Sequence, residues 1–183
     1  SFSTGLNISA GSLNGGGTFS LGQNELTVGG NNLSTNVTGV IADGGGNGGT
    51  GASLVKTGTG TMTLSATNAY TGATTVDGGT LSVNGSIISS SGVTVNNGGA
   101  LGGIGVVGNT LVAGGIFAPG SGTAGSSMTV NGTLGLNAAA TYLVNVNPAT
   151  ASFANVSGVA TLGGATVNAI FASGSSISKQ YTI

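Results

Sequence analysis

The sequence predicts an all-β fold in which one continuous chain winds into a β-solenoid of about ten rungs. Three observations carry that expectation. Apolar residues alternate with hydroxyl-bearing or small ones, which puts successive side chains on opposite faces of an extended strand. Gly-Gly and Asn-Gly pairs break these runs after about four or five residues. The apolar segments also recur: Leu64, Leu81, Leu101, Phe117 and Leu134 follow one another at 17, 20, 16 and 17 positions. A period near 17 or 18 suits one turn of stacked parallel strands.

Along the chain, residues 1–53 read as upstream rungs, with "DGGGNGGTG" at 43–51 as a projecting loop. Residues 54–85 hold the most regular alternation. Residues 86–183 continue it, interrupted by a second loop, "APGSGTAGSS", at 118–127. The pairs Met62 and Leu64, Leu81 and Val83, Val93 and Val95, Leu134 and Leu136, and Val144 and Val146 are each separated by one residue and so point inward together. Corners fall at Gly78-Gly79, Asn97-Gly98-Gly99, Gly114-Gly115, Asn131-Gly132 and Gly163-Gly164, where glycine supplies positive φ. A rung of this length holds three short strands and three corners, each strand pairing in parallel with its equivalent one rung away. Two-residue corners also suit the hairpins of a meander, but the repeat spacing favours the coil. The unpaired strand edges at either end of such a coil predict concentration-dependent association.

Composition narrows the function classes. The 183 residues include Lys+Arg 2, Asp+Glu 3 and no histidine, for a net charge of −1. That excludes the basic footprint of a nucleic-acid or anionic-membrane binder and leaves no imidazole for proton transfer or metal ligation. Charged residues make up 3% of the chain, against roughly 25% in ordinary domains. Glycine-rich disorder does not fit, because Val, Ile and Thr recur throughout and the mean hydropathy is positive. Collagen does not fit either, with 2 prolines and no three-residue glycine period. No run approaches the roughly 20 apolar residues of a membrane-spanning helix. The lack of cysteine rules out disulfides and thiolate metal sites. With no initiator Met and no basic-then-apolar leader, the chain is expected to be a piece of a larger protein.

Few residues carry chemistry. Glu25, Asp43 and Asp77 are the only carboxylate side chains, 18 and 34 positions apart. The interval of 18 would stack Glu25 near Asp43 one rung on, the single arrangement that acid–base catalysis could use, with no histidine or arginine to assist. Calcium-binding repeats need an aspartate in every rung, so Asp43 and Asp77 read as solvated turn residues. The glycine run 44–51 lacks the lysine of a phosphate cradle. Lys56 is expected on the outer side of its strand, and Tyr70, Tyr142 and Tyr181 are expected to pack strands or corners. The row Thr57, Thr59, Thr61, Thr63 resembles an ice-binding face, but neighbouring segments offer only Thr74-Thr75, Thr80 and Thr94. Asn-x-Ser/Thr triplets at Asn7, Asn32, Asn36, Asn84, Asn131 and Asn155 follow from a composition rich in those residues. The expectation is a non-enzymatic chain with no catalytic, cofactor-binding or metal-ligating residue, no cofactor, no nucleic acid and no small-molecule substrate.

The stretch "LVKTGTGTMTLSATNAYTGATTVDGGTL" resembles the autotransporter-associated β-strand repeat of type V secretion passengers. Leu54, Lys56, Gly58, Gly60, Leu64, Asn68, Tyr70, Thr71, Gly72, Thr74, Gly79 and Leu81 fall where such repeats have their typical residues, while Ala73 replaces a common glycine. The flanks "NNLSTNVTGVIADGGG" and "GGALGGIGVVGNTLVAGGIFAPGSG" are similar to passenger sequence, and the closing "SKQYTI" is similar to the approach to an outer-membrane barrel. The resemblance implies a right-handed parallel β-helix outside a Gram-negative bacterium, secreted or at the cell surface. It implies a membrane-proximal stalk that supports display and export-coupled folding, partnered by the outer-membrane β-barrel of its own parent chain. It also admits an adhesin segment, of the kind associated with virulence, that binds host surface or extracellular matrix, or associates with itself.

Overall fold

In the computed structural model, which describes residues 7–45 and 48–173, the described elements are all β-strands and all strand pairs are parallel. One sheet stacks eight strands: Asn7–Ala10, Glu25–Val28, Ser53–Lys56, Thr74–Val76, Val93–Val95, Thr110–Val112, Leu134–Leu136 and Ala160–Thr161. A second stacks seven, from Thr35–Val37 and Thr61–Leu64 through Gly79–Val83, Gly99–Gly103, Ile116–Pro119 and Thr141–Val146 to Thr166–Phe171. The third side holds Thr18–Ser20 with Val40–Ala42, and Val106–Val107 with Ser127–Val130 and Phe153–Val156. Single-residue parallel bridges, Ala42 to Ala69, Thr67 to Ser86 and Ser86 to Val106, join these two small sheets into one side. The chain visits the first, second and third sides in that order in each turn. The result is a three-sided β-solenoid of about seven turns, and we number its coils one to eight by their first-side strands.

The turn count falls a little short of ten because the coils are unequal. Successive first-side partners lie 18 residues apart at Ile8 and Leu26, 28 at Leu26 and Leu54, 20 at Leu54 and Thr74, and 17 at Val93 and Thr110. Further on, Thr110 and Leu134 are 24 apart and Leu134 and Ala160 are 26 apart. The shortest coils have the expected period, and the long ones carry loops. One is the glycine segment 43–51; another spans 120–126, shorter than expected because Ala118 and Pro119 still pair with Gly102 and Gly103. A third, near 147–151, closes with an antiparallel bridge from Val146 to Ala151. At about 4.8 Å per layer, seven turns make a rod of roughly 34 Å.

Inward residues stack in ladders, and the five expected pairs are all buried. Leu81, Leu101 and Phe117 lie directly over one another, but the ladder also takes in Thr35 and Met62 before them and Tyr142 and Val167 after them. Leu64 instead lies against Val83, and Leu134 belongs to the first side over Thr110. A constant step of 17 slips between sides because coil length varies. Phe117 and Tyr142 pack edge to face, with centroids 5.5 Å apart and rings inclined by 62°. Gly79, Gly98, Gly132, Gly163 and Gly164 have the expected positive φ. Gly115 serves differently: a Cβ there would lie 2.5 Å from the carbonyl oxygens of both Asn96 and Gly99 in the preceding coil.

Candidate functional site: the polar ties of coils two to four

Buried polar groups concentrate around residues 54–90, where four separate ties join one coil to the next. The first corrects a sequence expectation. Lys56 points inward, not outward, and occupies the ladder between Val28 and Val76 with 1% exposure. Its Nζ donates to the carbonyl oxygens of Thr57 at 2.6 Å, Gly78 at 3.1 Å and Gly58 at 3.4 Å. An ammonium has three protons to give, and here three carbonyls at the corner between the first and second sides receive them. Burial pushes its pKa down from the ordinary lysine value. Gly58 makes room for this corner, since a Cβ there would sit 2.0 Å from Gly29 O and its φ is +66°.

The second tie is Asn68 on the third side. Its Oδ1 accepts from Ile41 N at 2.9 Å in coil two, and its Nδ2 donates to Ala66 O at 3.1 Å and towards Ser86 O at 3.3 Å in coil four. One buried amide thus spans three coils. It stands where the side is held only by single bridges, so the side chain supplies bonds that a strand ladder would otherwise make.

The third tie is a buried hydroxyl chain. Tyr70 OH lies 2.7 Å from Thr74 Oγ1, which lies 2.9 Å from Ser90 Oγ. Ser90 faces the carbonyl oxygens of Gly72 at 2.9 Å and Gly92 at 3.1 Å. Carbonyls only accept, so the Ser90 proton goes to one of them, that of Thr74 to Ser90, and that of Tyr70 to Thr74. Burial raises the Tyr70 phenol far above its ordinary range, outweighing the Thr74 hydrogen bond. This hydroxyl keeps its proton throughout the neutral range. Tyr142 packs as expected too. Burial pushes its phenol up to about 12, only partly offset by the nearby Ala154 backbone, and its hydroxyl makes no hydrogen bond.

The fourth tie is Asp43, half-buried at the start of the glycine loop. Its Oδ1 accepts from Ala52 N at 3.0 Å and Thr71 N at 3.1 Å; its Oδ2 accepts from Thr71 Oγ1 at 2.6 Å and Gly51 N at 3.1 Å. Burial alone would raise its pKa, but the four donors prevail and hold it below the ordinary aspartate value. Asp43 is therefore a clamp that closes the loop 43–51 and grips the next coil, more engaged than a solvated turn residue. Asp77 is exposed and accepts from Asn96 Nδ2 at 2.7 Å in the following coil.

The three carboxylates do not converge. Glu25 stands between Asn7 and Ser53 on the first side and does not stack on Asp43. Among the described residues, no three His, Cys, Asp or Glu side chains gather as a metal site would require. One concavity, about 440 Å³, is an open groove on the outer face of the first side, lined by Thr94, Asn109, Leu111, Thr133, Gly135 and Thr161 among others. It holds hydroxyls and an amide but no ionisable side chain. The sequence expectations for Tyr181 and for "SKQYTI" fall outside the described residues.

Of the residues carried over from the repeat resemblance, Lys56, Gly58, Asn68, Tyr70, Thr71, Gly72 and Thr74 have a part in these ties. Leu54, Leu64 and Leu81 fill the interior. Gly60 and Gly72 admit backbone carbonyls that a Cβ would strike at 2.3 and 2.4 Å. Residues 54–83 match the passenger-associated-transport-repeat family. No curated protein and no solved structure matches the chain. The chain carries a passenger-associated-transport-repeat across its third and fourth coils, and that repeat within a β-solenoid fits an autotransporter passenger.

Proposed function

We propose that the chain is a non-enzymatic stalk of an autotransporter passenger, which folds coil by coil outside the cell and holds a more distal region away from the surface. One observation carries this: the side chains of the matched repeat tie its two coils to each other and to their neighbours, Asn68 and Thr71 reaching coil two, Tyr70 and Lys56 joining coils three and four, and Asp77 reaching coil five. Lys56, Asn68, Thr71 and Thr74 direct their polar atoms at neighbouring coils or at the corner between them, not at an open cavity. A coil so equipped gives the next coil a template, and each newly stacked coil withdraws chain from the export pore by burying apolar area at about 25 cal/mol per Å². The outer-membrane barrel of the parent chain is the partner this reading requires. The test is surface display of the full-length parent carrying Leu81→Asp, Leu101→Asp and Leu134→Asp. All three sites are buried, and each unpaired carboxylate is expected to cost several kcal/mol. Display should fall sharply; unchanged display overturns the proposal.

The groove on the first side favours a second reading, an adhesin segment that binds host matrix or another copy through uncharged hydroxyl and amide groups. Saturable binding by the isolated 183 residues in a pull-down or cell-aggregation assay would support it. A stalk alone shows none.

A further inference from the structure

Asn-Gly steps occur at Asn14, Asn47, Asn84, Asn97 and Asn131, and the winding of the chain treats one of them differently from the rest. From that difference we propose that Asn97-Gly98 is a modification site, at which the folded chain deamidates spontaneously and turns an uncharged amide into a carboxylate. The proposal stands independently of the stalk reading.

An Asn-Gly step can react with itself because glycine has no Cβ to hold its nitrogen away from the preceding side chain. The Gly98 nitrogen gives its proton to solvent and attacks Asn97 Cγ. The new N–C bond closes a five-membered succinimide, while the bond from Cγ to the side-chain nitrogen breaks and ammonia leaves. Water then opens the ring at either carbonyl. Opening at Cγ leaves aspartate; opening at the backbone carbonyl carbon leaves isoaspartate, with the main chain routed through the side chain. One water enters and one ammonia departs, with no oxidant and no cofactor.

To bring the nitrogen onto Cγ, the peptide plane between the two residues must rotate, so a hydrogen bond from the glycine N–H opposes the reaction. Gly15 N donates to Asn36 O at 3.1 Å, Gly85 N to Leu64 O at 2.9 Å, and Gly132 N to Val130 O at 3.1 Å and to Ser157 Oγ at 2.9 Å. Two of the amide side chains are engaged as well: Asn84 Oδ1 accepts from Ile104 N at 3.4 Å, and Asn131 Oδ1 from Ser157 Oγ at 3.1 Å. Asn47 lies outside the described residues, although Gly48 N donates to Gly45 O at 3.0 Å.

The corner between the first and second sides of coil five breaks this pattern. Residues 96–99 form a turn closed by Gly99 N donating to Asn96 O at 3.0 Å, which leaves the central peptide outside the ladder. Among the described residues, neither Gly98 N nor the Asn97 side chain makes a hydrogen bond, and both residues are exposed. Rotation of this peptide therefore breaks no tie between coils. The product changes the charge of the rod. Asp77, at the same corner one coil back, already accepts from Asn96 Nδ2 at 2.7 Å, and the new carboxylate stands one residue from that bond. Four carboxylates would then face Lys+Arg 2 in place of Asp+Glu 3, moving the net charge from −1 to −2.

The experiment incubates the 183-residue chain at mildly alkaline pH, folded and in urea, and follows each step by peptide mapping with a fragmentation method that separates aspartate from isoaspartate. Far-UV circular dichroism checks that the folded sample keeps its β signal. In the folded chain, Asn97 should convert about fivefold or more faster than Asn84 and Asn131, the factor that one opposing hydrogen bond of ordinary net strength supplies. In urea the three rates should converge, because every glycine N–H is then released to solvent. Conversion of folded Asn97 no faster than that of Asn84 and Asn131 overturns the proposal. So does a preference for Asn97 that persists unchanged in urea, since it would owe nothing to the fold.

Discussion

Inside the corner between the first and second sides, Lys56 does with one side chain what an extra strand residue would do with its backbone. It satisfies three carbonyl oxygens that the sharp bend turns away from the ladder. Lys56→Met keeps the volume and removes the donors, and is expected to cost about 1–3 kcal/mol in urea unfolding at neutral pH. The pH dependence has a definite sign. Because burial lowers the folded-state pKa, the unfolded chain binds more protons between that value and 10.5. Stability of the parent therefore gains relative to Lys56→Met as pH rises through that window, and a difference that stays flat there contradicts the buried amine. The raised phenols of Tyr70 and Tyr142 lower the stability of both proteins above pH 10 and so cancel in this difference. The inward position of Lys56 was legible in the sequence: it lies two residues from the buried Leu54, on the same face. The general rule that lysine is exposed masked that parity.

At the level of corners and coils, the repeat depends on close backbone approach. Gly58 has φ +66° and no space for a Cβ, whereas nothing lies within 4 Å of the position a Cβ would take on Gly30, whose φ is not positive. Gly58→Ala is expected to destabilise by about 2–4 kcal/mol. Gly30→Ala should be neutral or stabilise by a few tenths up to about 1 kcal/mol. Thermal unfolding of the two variants checks this, and equal effects would contradict the corner geometry. Strand type, strand length and inward pairing were readable from alternation, because the first two sides have regular two-residue periodicity. The third side was not. In coils three and four it consists of single bridges at Thr67, Ala69 and Ser86, and the groups that secure it, Asn68 and Tyr70, are buried in alternation with exposed Thr67, Ala69 and Thr71, an order that hydropathy does not show because an amide points inward and an alanine outward. The slip of Leu64 and Leu134 out of the counted ladder has a related cause: loops add residues to a coil without changing its layer.

For the molecule as a whole, each coil touches only its neighbours along the axis, so stability is a sum of coil and junction contributions and not of one central core. Matched polar ties cluster in coils two to four, while the last coil is exposed on its outer face. Apolar stacking supplies cohesion throughout, with four charged side chains in the described residues.

The unequal coil lengths have a mechanical consequence. Under tension applied at its two termini, such a rod peels from an end and releases one layer at a time. Each rupture then frees 17 to 28 residues, roughly 60 to 100 Å of contour at about 3.5 Å per residue. In an optical trap the extension record becomes a ruler of the winding itself, its uneven increments spelling out where loops were inserted, and a single rip of the entire chain would contradict a layered assembly.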